Sequence, residues 1–466
     1  ARLKDWDTPG STLPSADAGF VVGIFSIGSV VTAFPVVSGY FLERWGRRDS
    51  IVIGSAIFIV GSILQATSSS MTQMLTGRFI TGASIGLLSS VVALYQSELA
   101  PPDMRGALTS VYQLMITLGI LLAAALDLFL VDEPDGWRWA IWIQLLPAGA
   151  LCCGMCFMPR SPRWLVQQGT EKAVEEAQKV LDKLRPPGQA SAELEEIVQS
   201  HREATKHGEL LWIEMLRGRT FRLVGVAVSL QLLQQLVGMN AFMYFGPRIF
   251  ASLGLPRNKF QTLNNAVNFL STFPALYLAD NYGRRALLLA SATGMLVSCT
   301  LVGLVGSIFM ERVDNTWQST NEKAGYFIAA MVFFFVFNFA YGWGPIVWVY
   351  CAEMFELKYR ARGVGLATTA NWIGNYLIAQ LTPMLLEGLG FGTFFVFAFF
   401  CVLALLLALW LPEPRGVMLE RINELWDTKF AADCQDPPIG KSNIGLQTGE
   451  ADDDIVDSTE HNRLKP

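Results

Sequence analysis

Apolar stretches of about 20 residues alternate with short polar turns along most of the chain, and a helix of that length crosses the hydrocarbon of a bilayer. The stretches fall at 18–42, 51–69, 74–97, 107–131 and 139–158, then at 221–250, 261–280, 285–310, 325–352, 362–387 and 391–411. A charged segment, 159–220, separates the two sets and shows helical patches at 171–185 and 190–206. Residues 1–17 are polar, with Pro9, Gly10 and Pro14, and carry no signal-peptide pattern. From 412 the chain is polar again and ends near the acidic run Glu450-Ala451-Asp452-Asp453-Asp454, a composition that predicts disorder. The expected class is an all-α polytopic membrane protein. Composition agrees, since 52% hydrophobic and 16% charged residues are poor in charge for a soluble chain.

The pattern is also duplicated. Gly46-Arg47-Arg48 recurs as Gly283-Arg284-Arg285, and the two glycines stand 237 positions apart. Glu98 before Arg105-Gly106 recurs as Glu353 before Arg362-Gly363, and the Pro159 to Arg163 segment recurs loosely as Pro412 to Arg415. A near-constant offset marks two similar halves. Two spans precede Gly283 but only one precedes Gly46, so the symmetry predicts a 6+6 protein with its first span missing and eleven spans read. A true eleven-span protein is the alternative. The expected divisions are an extracellular stub at 1–17, a five-span N-terminal half at 18–158, a cytoplasmic linker at 159–220, a six-span half at 221–411 and a tail at 412–466.

Charge sets the orientation. Arg44, Arg47, Arg48, Arg105, Arg284, Arg285, Lys358, Arg360, Arg362 and the linker lie on one side, against Arg138, Arg257, Lys259, Arg312 and Lys323 on the other. Short loops richer in Lys and Arg face the cytoplasm, which places the linker and the C-terminus inside.

Enzyme chemistry has little to stand on. The three histidines lie in polar segments, six of the seven cysteines lie in apolar runs without metal spacing, and there is no Walker loop, HExxH or Ser/His/Asp set. No enzyme, cofactor or metal is expected. The candidate chemistry is instead a set of amides inside the spans: Gln113, Gln231, Gln234, Gln235, Asn240, Asn264, Asn265, Asn268, Asn371 and Asn375. Such groups are costly against lipid and face the bundle interior or a wet cavity. Amides donate and accept without charge, which suits a neutral polyhydroxylated ligand. Gln231, Gln234 and Gln235 share about one helical face, and Asn240 joins it almost two turns beyond Gln234.

The paired Gly-Arg-Arg turns, Pro159-Arg160-Ser161-Pro162-Arg163-Trp164, Pro412-Glu413, Gln234-Gln235-Leu236-Val237-Gly238-Met239-Asn240 and Gly342-Trp343-Gly344-Pro345-Ile346-Val347-Trp348 resemble the sugar porter branch of the major facilitator superfamily. The likeness covers roughly 18–425, and within the family it is greatest to fungal hexose and pentose transporters. The resemblance implies a two-half major facilitator fold and a plasma-membrane monosaccharide transporter working by alternating access, with sugar:proton symport. It implies that Gln113, Gln234, Gln235, Asn240, Asn268 and Asn371 bind the sugar, with Trp348 against its apolar face, while Tyr244 and Phe245 shield it from outside. Asn265 and Asn375 are read as glue between helices. Arg44, Arg47, Arg48, Glu98 and Arg105 in one half, with Asp280, Arg284, Arg285, Glu353 and Arg360 in the other, would form a cytoplasmic gate of ion pairs.

Arg78 is costly in a span unless partnered, and in the family's symporters it pairs with an Asp on the first span, which is absent here. Asp127 is a weak substitute. Glu43, Asn281 and Arg160 depart from the family pattern, so contacts with the linker differ. The expected partners are a small sugar, protons and the lipid bilayer, with no nucleic acid, around a monomer. A facilitative uniporter, a non-transporting sugar sensor and an inactive truncated form are the alternatives.

Overall fold

The structure, a computed structural model, describes residues 15–100, 105–186, 188–206, 215, 217–313, 316–355, 357–414 and 422–434. In the first half, α1 (Ser15–Ala33) and α2 (Pro35–Arg44) form one bent rod with a 57° break at Phe34. Pro35 causes it, because proline has no amide hydrogen to continue the ladder. Then follow α3 (Gly46–Ala66), α4 (Met71–Leu99), α5 (Arg105–Leu130), α6 (Gly136–Ile143) and α7 (Leu145–Phe157).

The linker folds into α8 (Pro162–Gln167), α9 (Glu171–Leu184) and α10 (Ala190–Lys206). The side chains of Ser161 and Thr170 cap α8 and α9, and Trp164, Leu165, Ala177, Leu181 and Ile197 make a small core between the linker helices. The helical patches read from the sequence thus stand nearly as expected. Arg185, almost fully buried, pairs with Glu193 at 2.5 Å and donates to the carbonyls of Leu99 and Ala100, which ties the linker to the end of α4.

The second half contains α11 (Gly218–Leu236), α12 (Met239–Ser252), α13 (Arg257–Tyr282), α14 (Arg284–Phe309), α15 (Glu322–Tyr341), α16 (Trp343–Glu353), α17 (Leu357–Leu389) and α18 (Thr393–Trp410). A hairpin of β1 (Met310–Val313) and β2 (Thr316–Ser319) joins α14 to α15, pairing Met310 with Ser319. The tail forms α19 (Ile422–Cys434), whose Trp426 and Phe430 stack against each other and pack on Trp410.

Among the described residues, eight helical stretches are long and apolar enough to cross a membrane, or nine with the bent α1–α2 pair. One of these, 362–410, holds both α17 and α18. Helix α13 is not among them, because its buried side carries Gln261, Asn264, Asn265 and Asn268.

Two antiparallel crossings join the halves. Helix α1 packs along α17, and α5 packs along α13. The helix before the Gly-Arg-Arg turn of one half therefore meets the helix after the Glu–Arg-Gly motif of the other, which is the symmetry that the duplication predicts. Within the first half, α1 and α4 approach so closely that a Cβ on Gly82 would stand 1.9 Å from the Phe25 carbonyl oxygen. Small residues permit such backbone approach between membrane helices. The halves also differ in packing. In the second, the long α11 packs on both α17 and α18, whereas in the first, among the described residues, α5 and α7 share only the short α6. The apolar window of α5 is only 6% buried and that of α6–α7 only 11%, against 56% for α11–α12.

Candidate functional site

Two helix breaks build the site. At Gly238 the backbone turns to φ 97°, a conformation glycine adopts without the Cβ clash, and the Phe397 ring lies where a Cβ would be. At Gly342 the rod breaks again between α15 and α16, with the Ser291 side chain filling the Cβ position. Each break leaves backbone groups without helical partners. Gln234 Nε2 ties the first break to the second, donating to the carbonyls of Trp343 and Gly344 at 2.8 Å each. The buried Trp343 ring is held by its own Nε1 bond to the Leu288 carbonyl at 3.0 Å.

Five amides then connect into one network. Asn371 on α17 is its hub, donating through Nδ2 to Gln231 Oε1 at 2.7 Å and Gln234 Oε1 at 2.6 Å. Its Oδ1 accepts from Gln235 Nε2 at 2.9 Å, and Gln235 Oε1 accepts from Asn240 Nδ2. Gln231, Gln234, Gln235 and Asn371 are all buried. Satisfied buried networks are rigid, because each bond lost strands a polar group in a low dielectric. Counting donors and acceptors shows where capacity is left. Asn371 and Gln234 are committed to protein partners. Gln235 keeps one N–H, and Asn240 keeps one N–H and its carbonyl oxygen. Gln231 also keeps one N–H but is fully buried, so the hydrogen bonding available to a ligand lies on Gln235 and Asn240. Gln231, which sequence reasoning placed on this face without a role, is part of the network.

The other expected binding residues sit apart from it. Asn268 is buried on α13, Gln113 is half-buried on α5 and Trp348 is half-buried on α16. None hydrogen-bonds into the amide network. Thr117 and Thr272 touch at 3.5 Å where α5 crosses α13, and Gln113 and Asn268 lie one turn from that contact in opposite directions. Arg78 on α4 has a buried Nε without a hydrogen-bond partner. Tyr244 pairs with Asn375. No described carboxylate pairs with Arg78.

The basic turns make ion pairs of the same form in each half. Arg47 binds Glu98 at 3.0 Å and Arg284 binds Glu353 at 3.0 Å. A second repeated contact accompanies them, Tyr95 hydroxyl to the Pro159 carbonyl at 2.8 Å and Tyr350 hydroxyl to the Pro412 carbonyl at 2.7 Å. Sequence reasoning missed these tyrosines, although Tyr95 and Tyr350 share the 255-residue offset of the two glutamates. Both ion pairs lie within one half and neither joins the two.

The remaining expected gate residues are placed elsewhere. Arg48 pairs with Asp49 at 2.7 Å, Arg285 donates to the carbonyls of Ala408 and Leu409, and Arg360 donates to the Phe355 carbonyl. Arg44 is exposed. The side chains of Arg105 and Asp280 lie outside the described residues. The departure at Arg160 is now accounted for. Glu413 caps α14 by accepting from the backbone amides of Arg284 and Arg285, whereas Arg160, at the matching place, pairs with Asp49 at 3.2 Å.

A family profile described as "Sugar (and other) transporter" matches residues 4–426. A galactose-proton symporter of Escherichia coli (strain K12) is 35% identical over 411 residues, covering 86% of this chain and 84% of that protein. A high-affinity glucose transporter of Candida albicans is 30% identical over 92% of this chain and 81% of its own length. Among solved structures, the major facilitator proton:xylose symporter XylE bound to 6-bromo-6-deoxy-D-glucose matches with TM-score 0.74 and 26% identity, covering 88% of this chain and 89% of that one. An inward-open structure of the xylose transporter XylE from E. coli matches with TM-score 0.72. These relatives are transporters rather than enzymes, and the chain is a multi-pass membrane protein of their kind. With the duplicated halves, the Gly-Arg-Arg turns and the amide network in place, the chain belongs to the sugar porter branch of the major facilitator superfamily.

Proposed function

We propose that the protein carries a monosaccharide, a hexose or pentose, across the plasma membrane by alternating access, in symport with protons. The observation that carries this reading is the unspent hydrogen-bonding capacity of Gln235 and Asn240, set beside the helix breaks at Gly238 and Gly342. A rigid amide network that leaves donors and one acceptor free fits a neutral polyol better than an ion, whose binding would call for opposite charge. Broken helices lining a cavity are the usual place for substrate in carriers of this architecture. Asn268, Gln113 and Trp348 would join the site as the halves, 18–158 and 221–411, rock about the α1–α17 and α5–α13 crossings. The basic-turn end, with its ion pairs, would face the cytoplasm together with the linker and C-terminus.

Symport is supported by two relatives, the galactose-proton symporter and the proton:xylose symporter. A facilitative uniporter is the second reading. Uptake of radiolabelled glucose and xylose, in a host without its own carriers, tests both. Uptake that collapses with a protonophore supports symport, uptake indifferent to it supports uniport, and no uptake of any monosaccharide overturns the carrier reading.

A further inference from the structure

The Ser26 hydroxyl of α1 donates to Asn375 Oδ1 of α17 at 2.6 Å, and both residues are buried. The same carboxamide meets the Tyr244 hydroxyl of α12, with Nδ2 at 2.9 Å and Oδ1 at 3.0 Å. One side chain therefore holds the first half on one side and α12 on the other. Other hydrogen bonds cross between the halves, such as Trp372 Nε1 to Ser89 Oγ at 3.3 Å and Thr262 Oγ1 to the Ala124 carbonyl at 3.2 Å. Both are longer, and neither involves the helix that begins at Met239 and bears Asn240.

Position adds to this. Asn375 follows the hub Asn371 by one turn, about 6 Å along α17 and away from the basic turns. The α1–α17 crossing continues past it in that direction, where a Cβ on Gly23 would strike the Tyr376 ring and one on Gly19 the carbonyl oxygens of Ala379 and Gln380. Rocking the halves apart at this end separates α1 from α17, and Ser26 with Asn375 must part. Until they do, Tyr244 and α12 are held over the amide network.

We propose that Asn375 is a positioning residue for transport: through Ser26 it ties α12 to the first half and sets the balance between the conformations open at the two ends. The inference rests on the carrier reading above. Asn375 need not touch substrate for it to hold. Its role as glue, expected from the sequence, becomes a role in the conformational equilibrium.

The test is the KM for radiolabelled sugar at each face, measured in intact cells and in inside-out vesicles, for wild type, Ser26→Ala, Ser26→Thr and Asn375→Ala. Loss of one buried hydrogen bond shifts a two-state equilibrium by about two- to tenfold. Ser26→Ala and Asn375→Ala are expected to lower KM at the face remote from the basic turns and raise it at the other. Ser26→Thr, which keeps the hydroxyl, should hold both values near wild type. A fall in Vmax with both KM values unchanged would mean simple packing and overturn the inference. Because Ser26→Ala removes one oxygen, it decides the matter even where Asn375→Ala fails to fold. Transport by wild type with unshifted variants refutes this inference alone, whereas no transport by wild type refutes the carrier reading beneath it.

Discussion

Gln235 and Asn240 are where single side chains should matter most to activity, because they keep unspent hydrogen-bonding groups, whereas Gln231, which also keeps one N–H, is fully buried. Gln235→Ala or Asn240→Ala is expected to abolish sugar uptake while surface expression persists, and unchanged uptake in both would remove the site. Trp348→Ala should raise KM several-fold if the ring lies against the sugar; an unaltered KM excludes it from the pocket. The ion pairs are matters of stability, and burial ranks them. Arg47 and Glu98 expose 9% and 7% of their side chains, and Ser161 also donates to Glu98. Glu98→Ala leaves a buried guanidinium unpaired and should cost about 3–5 kcal/mol, read as a lowered melting temperature in detergent. Asp49, paired with Arg48 and Arg160 at a more open position, should cost less than about 1 kcal/mol on replacement by alanine. Equal losses at Glu98 and Asp49 would refute that ranking.

Elements are shaped by what their neighbours allow. Helix α4 presents Gly77, Gly82 and Gly86 to its partners, and at Gly82 and Gly86 the intruding atoms belong to the α1 backbone or to Thr32. Gly82→Val should therefore prevent α1 from docking and reduce the yield of monodisperse protein, since backbone cannot yield as a flexible side chain does. Gly119 on α5, with open space at its Cβ, should accept alanine without loss. The spans and the linker helices were legible in the chain because hydropathy and helical periodicity are local properties. The hairpin at Met310–Ser319 and the tail helix α19 were not. Their patterns are short, and α19 gains its order by setting Trp426 and Phe430 against Trp410, a contact between distant parts of the sequence.

At the scale of the whole molecule, two copies of one design face each other across α1–α17 and α5–α13. The ion pairs Arg47–Glu98 and Arg284–Glu353 each stay within a half. Distant sites without shared partners are additive to about 0.5 kcal/mol. Glu98→Gln and Glu353→Gln are thus expected to lower stability independently, with the smaller loss at Glu353, whose side chain is 29% exposed. Strong coupling in the double variant would mean that the halves share a latch in the resting protein.

The residues themselves were enough to establish membrane insertion and to mark the duplication, the basic turns and the amides inside the spans, since each depends on composition, spacing or repetition along the chain. They could not say which amide spends its hydrogen bonds on its neighbours. Gln234 and Gln235 are adjacent and chemically identical, yet one holds the broken backbone at Trp343 and Gly344 while the other keeps a donor free. Nor could they separate Asn371, the hub, from Asn375, the bridge to Ser26, one turn away on the same helix. Hydrogen bonds are directional and short, so these roles were decided only when helices from both halves brought particular atoms within 3 Å.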